Sequence, residues 1–392
     1  MTAESPIYDA VAVGAGPAGS AAATLLAAAG KRVLLLEKDH FPRAKVCGEF
    51  LSTDALPSLE RLGARNAVES ARPERIDRGS LHLLTGPAVL FRLPAQALGI
   101  SRYCLDDLLA KRAREAGAEV RFGARVLSIE GGLSERFRIR CSGSHRDEEI
   151  RSRAVIGAWG RWDALDRAFA RGFLSRRERF FGWSRDYDGD TSQLAGEVRL
   201  YLFRGGYCGL SRVEGGAANL AGVVSEKTHR RAGGGWTGVL EHARQSNPHL
   251  DVDLSRMSPG PIGFLGTGPV FFTSKPPAEN GMLMAGDAAG VIDPFSGEGQ
   301  SSALASGILA AETVLRLLAG DLSPRQHTRA YAKAWKKRFG KRFAWSAFFR
   351  RMVLSPGLGN LAARVAGERL IRFAIAATSE TSERPLDAAR SE

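Results

Sequence analysis

The stretch from Asp9 to Gly19 constrains this chain most: an apolar strand, Asp9-Ala-Val-Ala-Val, runs straight into the turn Gly14-Ala-Gly16-Pro17-Ala18-Gly19. An Ala/Leu-rich helix is predicted over Ser20–Ala29, followed by a second apolar strand, Arg32-Val-Leu-Leu-Leu-Glu37. Gly14 permits the tight turn, Gly16 lets backbone approach a pyrophosphate, and Gly19 lets helix and strand pack closely. The helix N-terminus then offers unpaired N–H groups and the positive end of its dipole to phosphate. Glu37 closes the second strand, where a carboxylate accepts hydrogen bonds from ribose hydroxyls. Strand, turn, helix, strand and acid in this order predict an α/β, Rossmann-like domain that holds a dinucleotide.

A chain of 392 residues predicts two packed domains. With 44% hydrophobic and 25% charged residues it has the composition of a globular protein with ample core. No uninterrupted apolar run reaches the length of a membrane span, so no transmembrane helix is expected. The glycine motif begins within a few residues of Met1, which leaves no room for a signal peptide. Cys47, Cys104, Cys141 and Cys208 are scattered, with no CxxC and no His/Cys cluster at ligand spacing. The expectation is a reduced, cytoplasmic chain without a metal.

The net charge of +13 is concentrated near the C-terminus: residues 325–372 hold thirteen Lys/Arg against one acid, Glu368. Lys333, Lys336, Lys337, Arg338, Lys341 and Arg342 alternate with Trp335, Phe339, Phe343, Trp345, Phe348 and Phe349. Such a segment is able to lie on an anionic membrane surface as a basic amphipathic helix. The favoured alternative packs the aromatics on the body and leaves the charges solvated, their stems covering apolar surface. No nucleic-acid module accompanies the charge, so no nucleic-acid partner is expected.

Between these ends, helices are predicted over Ser52–Leu62 and Ser101–Gly117, and strands within residues 79–94, 119–122, 125–129 and 155–158. From about Phe169 to Pro276, short alternating segments split by Gly205-Gly206 and Gly215-Gly216 predict an antiparallel sheet. A buried parallel-type strand then returns at Gly281–Asp287, with a helix over Gly299–Ala319. The predicted division is a dinucleotide-binding domain at 1–78, 101–165 and 277–325, a substrate domain at 79–100 and 166–276, and a basic helical region at 326–392. Residues Thr378–Glu392 are polar and expected to fray.

A second motif lies at Leu283-Met-Ala-Gly286-Asp287, followed by Asp293-Pro294-Phe-Ser-Gly297-Glu-Gly299-Gln300. An apolar strand ending in Gly-Asp puts a carboxylate at the sheet's ligand-binding edge, placed for the hydroxyls of a ribityl chain. The Pro-x-x-Gly-x-Gly segment opens a helix whose N–H groups face negative charge, such as that near N1 and O2 of a reduced flavin.

With both motifs in place, residues 8–325 resemble the glutathione-reductase-type FAD proteins that include para-hydroxybenzoate hydroxylase-like monooxygenases and geranylgeranyl reductases. Gly14, Gly16, Gly19 and Glu37 resemble the ADP-binding motif, and Gly286-Asp287 the second FAD motif. Arg43 and Arg102 match positions of FAD-contacting arginines, and Lys45-Val-Cys47-Gly48 is similar to the Cys-Gly loop of the reductases, beside the isoalloxazine. The stretch from Phe203 to Gly222 resembles the same branch's sheet. The implied cofactor is FAD, and the expected binding set also takes in Pro17, Ala18, Lys38, Val126, Pro294, Gly297, Gly299 and Gln300. One departure stands out. The monooxygenases carry Asp-Gly after the strand corresponding to Val155–Ala158, and here Trp159-Gly160 replaces it. That puts direct reduction by NAD(P)H in doubt and raises a partner flavin reductase or another redox protein as electron donor. Gly263-Phe-Leu-Gly266-Thr-Gly268 has the wrong spacing for a second dinucleotide site, and the Trp-x-Trp-x-Ile-Pro pattern of flavin halogenases is missing.

Flavin chemistry asks little of acid–base side chains, because the ring performs the hard step. Cys47 is the candidate catalytic residue, a proton donor to substrate carbon after hydride transfer, with a small packing residue as the alternative. Glu49 and Glu298 are expected to be solvated loop residues before acid–base groups, and His40 and His82 structural. Tyr207 and Trp183 either line an apolar pocket or fill core. Three classes of function follow. One is a monooxygenase that hydroxylates a hydrophobic small molecule through a flavin hydroperoxide. Another is a geranylgeranyl-reductase-like C=C reductase or dehydrogenase, and the third a non-catalytic electron-transfer flavoprotein. The Cys47-Gly48 loop and the basic, aromatic C-terminus favour the second, whereas family prevalence favours the first, and the expectation is the monooxygenase with the reductase as alternative.

Overall fold

The structure, a computed structural model, describes residues 7–142, 147–354 and 358–379. Among the described residues, nine strands precede residue 160: β1 (Ile7–Val13), β2 (Val33–Leu36), β3 (Phe50–Leu51), β4 (Glu74–His82), β5 (Val89–Gly99), β6 (Glu119–Arg121), β7 (Arg125–Gly132), β8 (Arg136–Ser142) and β9 (Asp147–Gly157). Those that follow are β10 (Phe180–Gly189), β11 (Glu197–Phe203), β12 (Gly206–Arg212), β13 (Ala218–Ser225), β14 (Met257–Val270), β15 (Ala278–Glu279) and β16 (Met282–Met284). Helices longer than ten residues are α1 (Pro17–Ala28), α2 (Arg102–Glu115), α3 (Trp236–Ser246), α4 (Gly299–Leu318), α5 (Pro324–Leu354) and α6 (Leu358–Thr378).

The first sheet runs β15-β16-β9-β1-β2-β6, with β7 and β8 attached through β9. Its centre is parallel: Val11 of β1 lies between Leu34 of β2 and Val155 of β9. Both faces are covered, so β1 and β2 read as near-continuous apolar runs, and Leu34 and Leu35 are fully buried. The last strand of this parallel set, β16, comes from the far end of the chain and pairs Leu283 with Ile156. This pairing brings the two motifs to the same edge.

The second sheet runs β14-β10-β13-β12-β11-β4-β5-β3. It is antiparallel as expected except at one joint, where β11 pairs parallel to β4, with Leu200 opposite Leu81. These strands come from separate parts of the chain, so no hairpin turn dictates their direction. The sheet also reaches beyond residues 79–100 and 166–276: β4 begins at Glu74, and Phe50–Leu51 forms its edge.

Local rules place most helix ends. Helix α1 starts at Pro17, earlier than expected, because proline suits the first helical position where no N–H partner is needed. Ser101 caps α2 by accepting the Cys104 N–H at 3.0 Å. The Ser52–Leu62 segment splits into a 3₁₀ turn over Thr53–Ala55 and a short helix over Leu56–Arg61. Helix α4 is the one described helix long and apolar enough to cross a membrane; here it packs against α1, and Leu304, Ala310 and Ala311 are fully buried. Helix α5 turns Tyr331, Trp335, Phe339 and Phe349 onto the body, and the Tyr331 hydroxyl donates to the Met284 carbonyl at 2.6 Å. Arg342 and Arg350 also lie on that inward face. The segment expected to fray lies outside the described residues beyond Ser379.

Candidate functional site

At the first turn, Gly14 takes φ +103°, and a β-carbon there would lie 2.8 Å from the Ala158 carbonyl carbon. Gly19 lets α1 rest on this turn, since a β-carbon on it would press into the Gly14 carbonyl, 3.0 Å from its carbon. Glu37 secures both flanks: it accepts the Ala15 N–H at 2.8 Å and the Asp39 N–H at 3.1 Å. Two hydrogen bonds leave carboxylate lone pairs free toward the cavity that Glu37 lines.

That cavity has a volume of about 940 Å³. Gly14, Gly16, Pro17 and Ala18 line it from the first turn, with Glu37, Lys38, Arg43 and Val126 beside them. Cys47, Gly48 and Arg102 form another part of its wall, and Gly286, Asp287, Pro294, Gly297, Gly299 and Gln300 complete the expected set. Gly19 alone of that set does not line it, because its task is packing.

The cavity is strongly cationic at one point, and sequence reasoning missed what holds it so. Asp106, buried on the inner face of α2, accepts Nε and Nη2 of Arg102 at 2.7 Å each and Nη1 of Arg43 at 2.9 Å. The two guanidiniums hold the Asp106 carboxyl below its ordinary range against the opposing cost of burial. Lys45 and Arg161 line the same cavity. Burial, then the positive charge of Arg102 and Arg43, lowers the Lys45 amine to about 8. Arg161 donates to the Val46 carbonyl at 2.8 Å and places Nε 3.7 Å from Asp287. The only visible signal for Asp106 was its spacing of one helical turn from Arg102. Nothing local linked it to Arg43.

The Cys47 loop lines the same cavity. The Cys47 sulfur accepts the Glu49 N–H at 3.4 Å and the Gln300 side-chain N–H at 3.6 Å, and the Cys47 carbonyl accepts from Asn219 at 2.9 Å. Cys47 is thus partly exposed on the cavity wall and tied from two sides, not a packing residue. Glu49 takes a left-handed backbone, φ +56°, held by the Arg102 N–H on its carboxylate at 2.9 Å and the Ile100 N–H on its carbonyl at 3.0 Å.

Neither glutamate is the solvated loop residue expected. Glu298 is only 4% exposed and accepts the Ser301 hydroxyl at 2.6 Å and the Ser52 hydroxyl at 3.0 Å. Burial, then the nearby Asp54 charge, raises its carboxyl to about 7. Burial raises the Glu49 carboxyl to about 8, against the Arg102 N–H it accepts. The cause is tertiary: β3 and the C-terminal helices close over residues that read as open loop.

Tyr207 and Trp183 are both buried and both line the cavity; the Tyr207 hydroxyl pairs with the Asp293 carboxylate and accepts the Phe295 N–H at 3.0 Å. His82 is structural, stacked on Tyr201 with ring centroids 4.8 Å apart. Trp159 lines the cavity at the position of the missing Asp, and its indole N–H donates to Asp166 at 3.2 Å. The Gly263–Gly268 glycines lie inside β14, with no strand–turn–helix context. Among the described residues, no three His, Cys, Asp or Glu side chains gather as a metal site.

The donor set fits FAD. A cradle without β-carbons meets a helix N-terminus; Arg43, Arg102 and Lys45 gather at buried Asp106, and Arg161 lines the same cavity beside Asp287, cations that suit a diphosphate. Two buried polar atoms on the wall, Nε of Arg43 and Oε1 of Gln300, make no hydrogen bond within the protein.

Comparison with known proteins agrees. The family model described as "FAD binding domain" matches residues 8–173. Digeranylgeranylglycerophospholipid reductase 1 of Methanopyrus kandleri is 30% identical over 352 residues, covering 86% of this chain and 88% of that protein. Among solved structures, the flavin-dependent brominase Bmp2 superposes with a TM-score of 0.78 at 19% identity, covering 94% of this chain and 93% of that one. A geranylgeranyl bacteriochlorophyll reductase-like protein of Thermoplasma acidophilum gives 0.74 at 22%, with 94% and 91% covered. At these identities the structures show a shared fold. The broad label glutathione-reductase-type is inexact for the matched family. The chain belongs to the family of FAD-dependent oxidoreductases that includes digeranylgeranylglycerophospholipid reductase 1 of Methanopyrus kandleri.

Proposed function

We propose that this oxidoreductase reduces carbon–carbon double bonds in a large, hydrophobic, isoprenoid-type substrate. The observation that carries the reading is the composition of this cavity. Besides its cationic, glycine-lined part it has an apolar chamber walled by Phe91, Leu93, Leu200, Val223, Phe272 and Phe349, the first five of which pack in one hydrophobic cluster. An apolar chamber of this kind suits a long hydrocarbon chain and offers few groups to a small polar substrate. The name of the Methanopyrus relative, a reductase of a digeranylgeranyl lipid, supports the same class.

Reduced FAD, when bound, supplies a hydride to one carbon of the double bond. The chain must then provide a proton for the other carbon and keep water from the site. Cys47 lines the cavity, its sulfur position fixed by the Glu49 and Gln300 N–H groups. Glu298 and Glu49, with carboxyls raised to about 7 and about 8, hold protons near neutral pH and are able to resupply the site. Trp159, anchored on Asp166, supports an electron donor other than directly bound NAD(P)H.

The test is a single turnover of the FAD-loaded, dithionite-reduced enzyme with geranylgeranyl lipid, first without oxygen and then in air. The reading expects a product that gains two hydrogens in both cases, slower in Cys47→Ala. A product carrying an added oxygen atom, formed only in air, overturns reduction in favour of hydroxylation. Bleaching of the flavin by NADH or NADPH alone, at the rate of turnover, removes the need for a separate donor.

A further inference from the structure

The C-terminal helices carry an outer face that the site does not use. On α5 the exposed positions are Arg325, Arg329, Lys333, Lys336, Lys337 and Lys341, recurring every three or four residues along one side. The stripe then turns aromatic. Phe348 is 54% exposed and Phe373, on the neighbouring α6, is 50% exposed. Both rings contact Trp345, with centroids 5.8 and 5.2 Å away, so they form one aromatic group. Arg351, Arg369 and Arg372 are exposed around it, and Glu368 is the only acid between residues 325 and 372.

Solvated charges alone do not account for this pattern. Exposed phenylalanines beside a basic stripe leave apolar area in water. An anionic bilayer meets both needs, since the rings enter the headgroup boundary while Lys and Arg meet lipid phosphates. The inner side of α6 bears on the same point: Ile371, Ala374 and Ile375 line the cavity. One helix, with a left-handed break at Gly367 (φ +51°), therefore separates the apolar chamber from the outer aromatic group.

We propose that the outer face of α5 and α6 docks on an anionic lipid bilayer, with α6 as the partition between bilayer and cavity. The docking rests on the surface residues; only the use of α6 as a route for substrate rests on the reductase reading. An acidic electron-transfer protein is the competing occupant of the basic stripe, but it gives no reason for the exposed phenylalanines.

The experiment is co-sedimentation of the full-length, FAD-loaded protein with vesicles of phosphatidylcholine, or of phosphatidylcholine mixed with phosphatidylglycerol, at low and high salt and without substrate. The expected result is binding to the mixed vesicles that weakens with salt. Lys333→Glu/Lys336→Glu/Lys337→Glu and, separately, Phe348→Ala are expected to lose binding, about tenfold or more for the charge reversal. FAD content and melting temperature should remain those of the parent in both variants. No binding to mixed vesicles at low salt overturns the proposal, as does equal, salt-insensitive binding to neutral vesicles. Retention on an immobilised acidic ferredoxin without vesicle binding reassigns the face to a protein donor. Failure of turnover with geranylgeranyl lipid, with vesicle binding intact, sinks the reductase reading and leaves the docking standing.

Discussion

Gly307→Ala tests whether the two ends of the chain hold the cofactor as one unit. Gly307 lies inside α4, and a β-carbon on it would come 2.9 Å from the Ala18 carbonyl carbon and 3.0 Å from the Ala18 α-carbon. Carbon atoms pack at about 3.5–4.0 Å, so α1 and α4 must separate by about 0.5–1 Å. Both walls are backbone and no side chain can rotate away, which puts overpacking near about 3 kcal/mol. Alanine returns about 1 kcal/mol in helix propensity, for a net loss of about 2 kcal/mol. In a chain of this size that lowers the melting temperature by about 2–3 °C. The separation also moves the α1 N-terminus away from Gly286-Asp287. Loss of one charge-assisted hydrogen bond to the cofactor then weakens FAD binding about tenfold to a hundredfold. Calorimetry of the apo-protein and fluorescence titration with FAD read the two effects separately. Gly340→Ala is the control, since its β-carbon meets nothing nearer than the Lys336 side chain at 3.6 Å. It should raise stability and leave FAD affinity alone. Parental FAD affinity in Gly307→Ala would refute the claim that the α1–α4 contact sets the distance between the motifs.

Asp106→Asn removes the shared counter-charge of Arg43 and Arg102. Leaving the buried Arg102 guanidinium without its carboxylate should cost the apo-protein about 3–5 kcal/mol in denaturant unfolding, and a loss below about 1 kcal/mol would contradict the pairing. Lys45→Met relieves the crowding that lowers the amine to about 8, so the apo-protein should gain stability while FAD binds about tenfold more weakly; unchanged FAD affinity would take Lys45 out of the cradle. Glu298 gives a pH signature. Its carboxyl is raised from about 4.5 to about 7 in the fold, so the folded state holds more protons in that window. The stability this contributes is complete below about pH 4.5 and is lost as pH rises through about 7. In Glu298→Gln, the fall in melting temperature between pH 5 and pH 8 should shrink, and an unaltered slope would contradict the buried, protonated carboxyl.

The parts of this molecule that could be read from sequence are those fixed within one short segment. Gly14, Gly16, Gly19 and Glu37 lie on one βαβ unit, so their spacing alone gathers them at one turn, where Gly14, Gly16 and Glu37 line the cavity and Gly19 packs behind it. Gly286-Asp287 was legible for the same reason, as a strand end opening into a helix. Asp106 was not, because it acts through Arg43, which arrives from a different loop. Glu298 read as loop because the burial and the Asp54 charge that raise its carboxyl, and the Ser52 hydroxyl that binds it, come from distant parts of the chain. The parallel β4–β11 joint was hidden as well, since alternation marks a strand without giving its direction. For α5, charge and aromatic spacing showed the helix. Which aromatics face inward and which stay in water depends on the body it packs against.

The central claim is that both ends of the chain grip one FAD, and reconstitution measures it directly. Flavin-free protein is titrated with FAD while protein and flavin fluorescence are followed, with ADP as competitor. The account predicts saturation at one FAD per chain, a bound-flavin spectrum, and displacement by ADP only at much higher concentration. A chain that stays colourless, or that binds ADP as tightly as FAD, would contradict it.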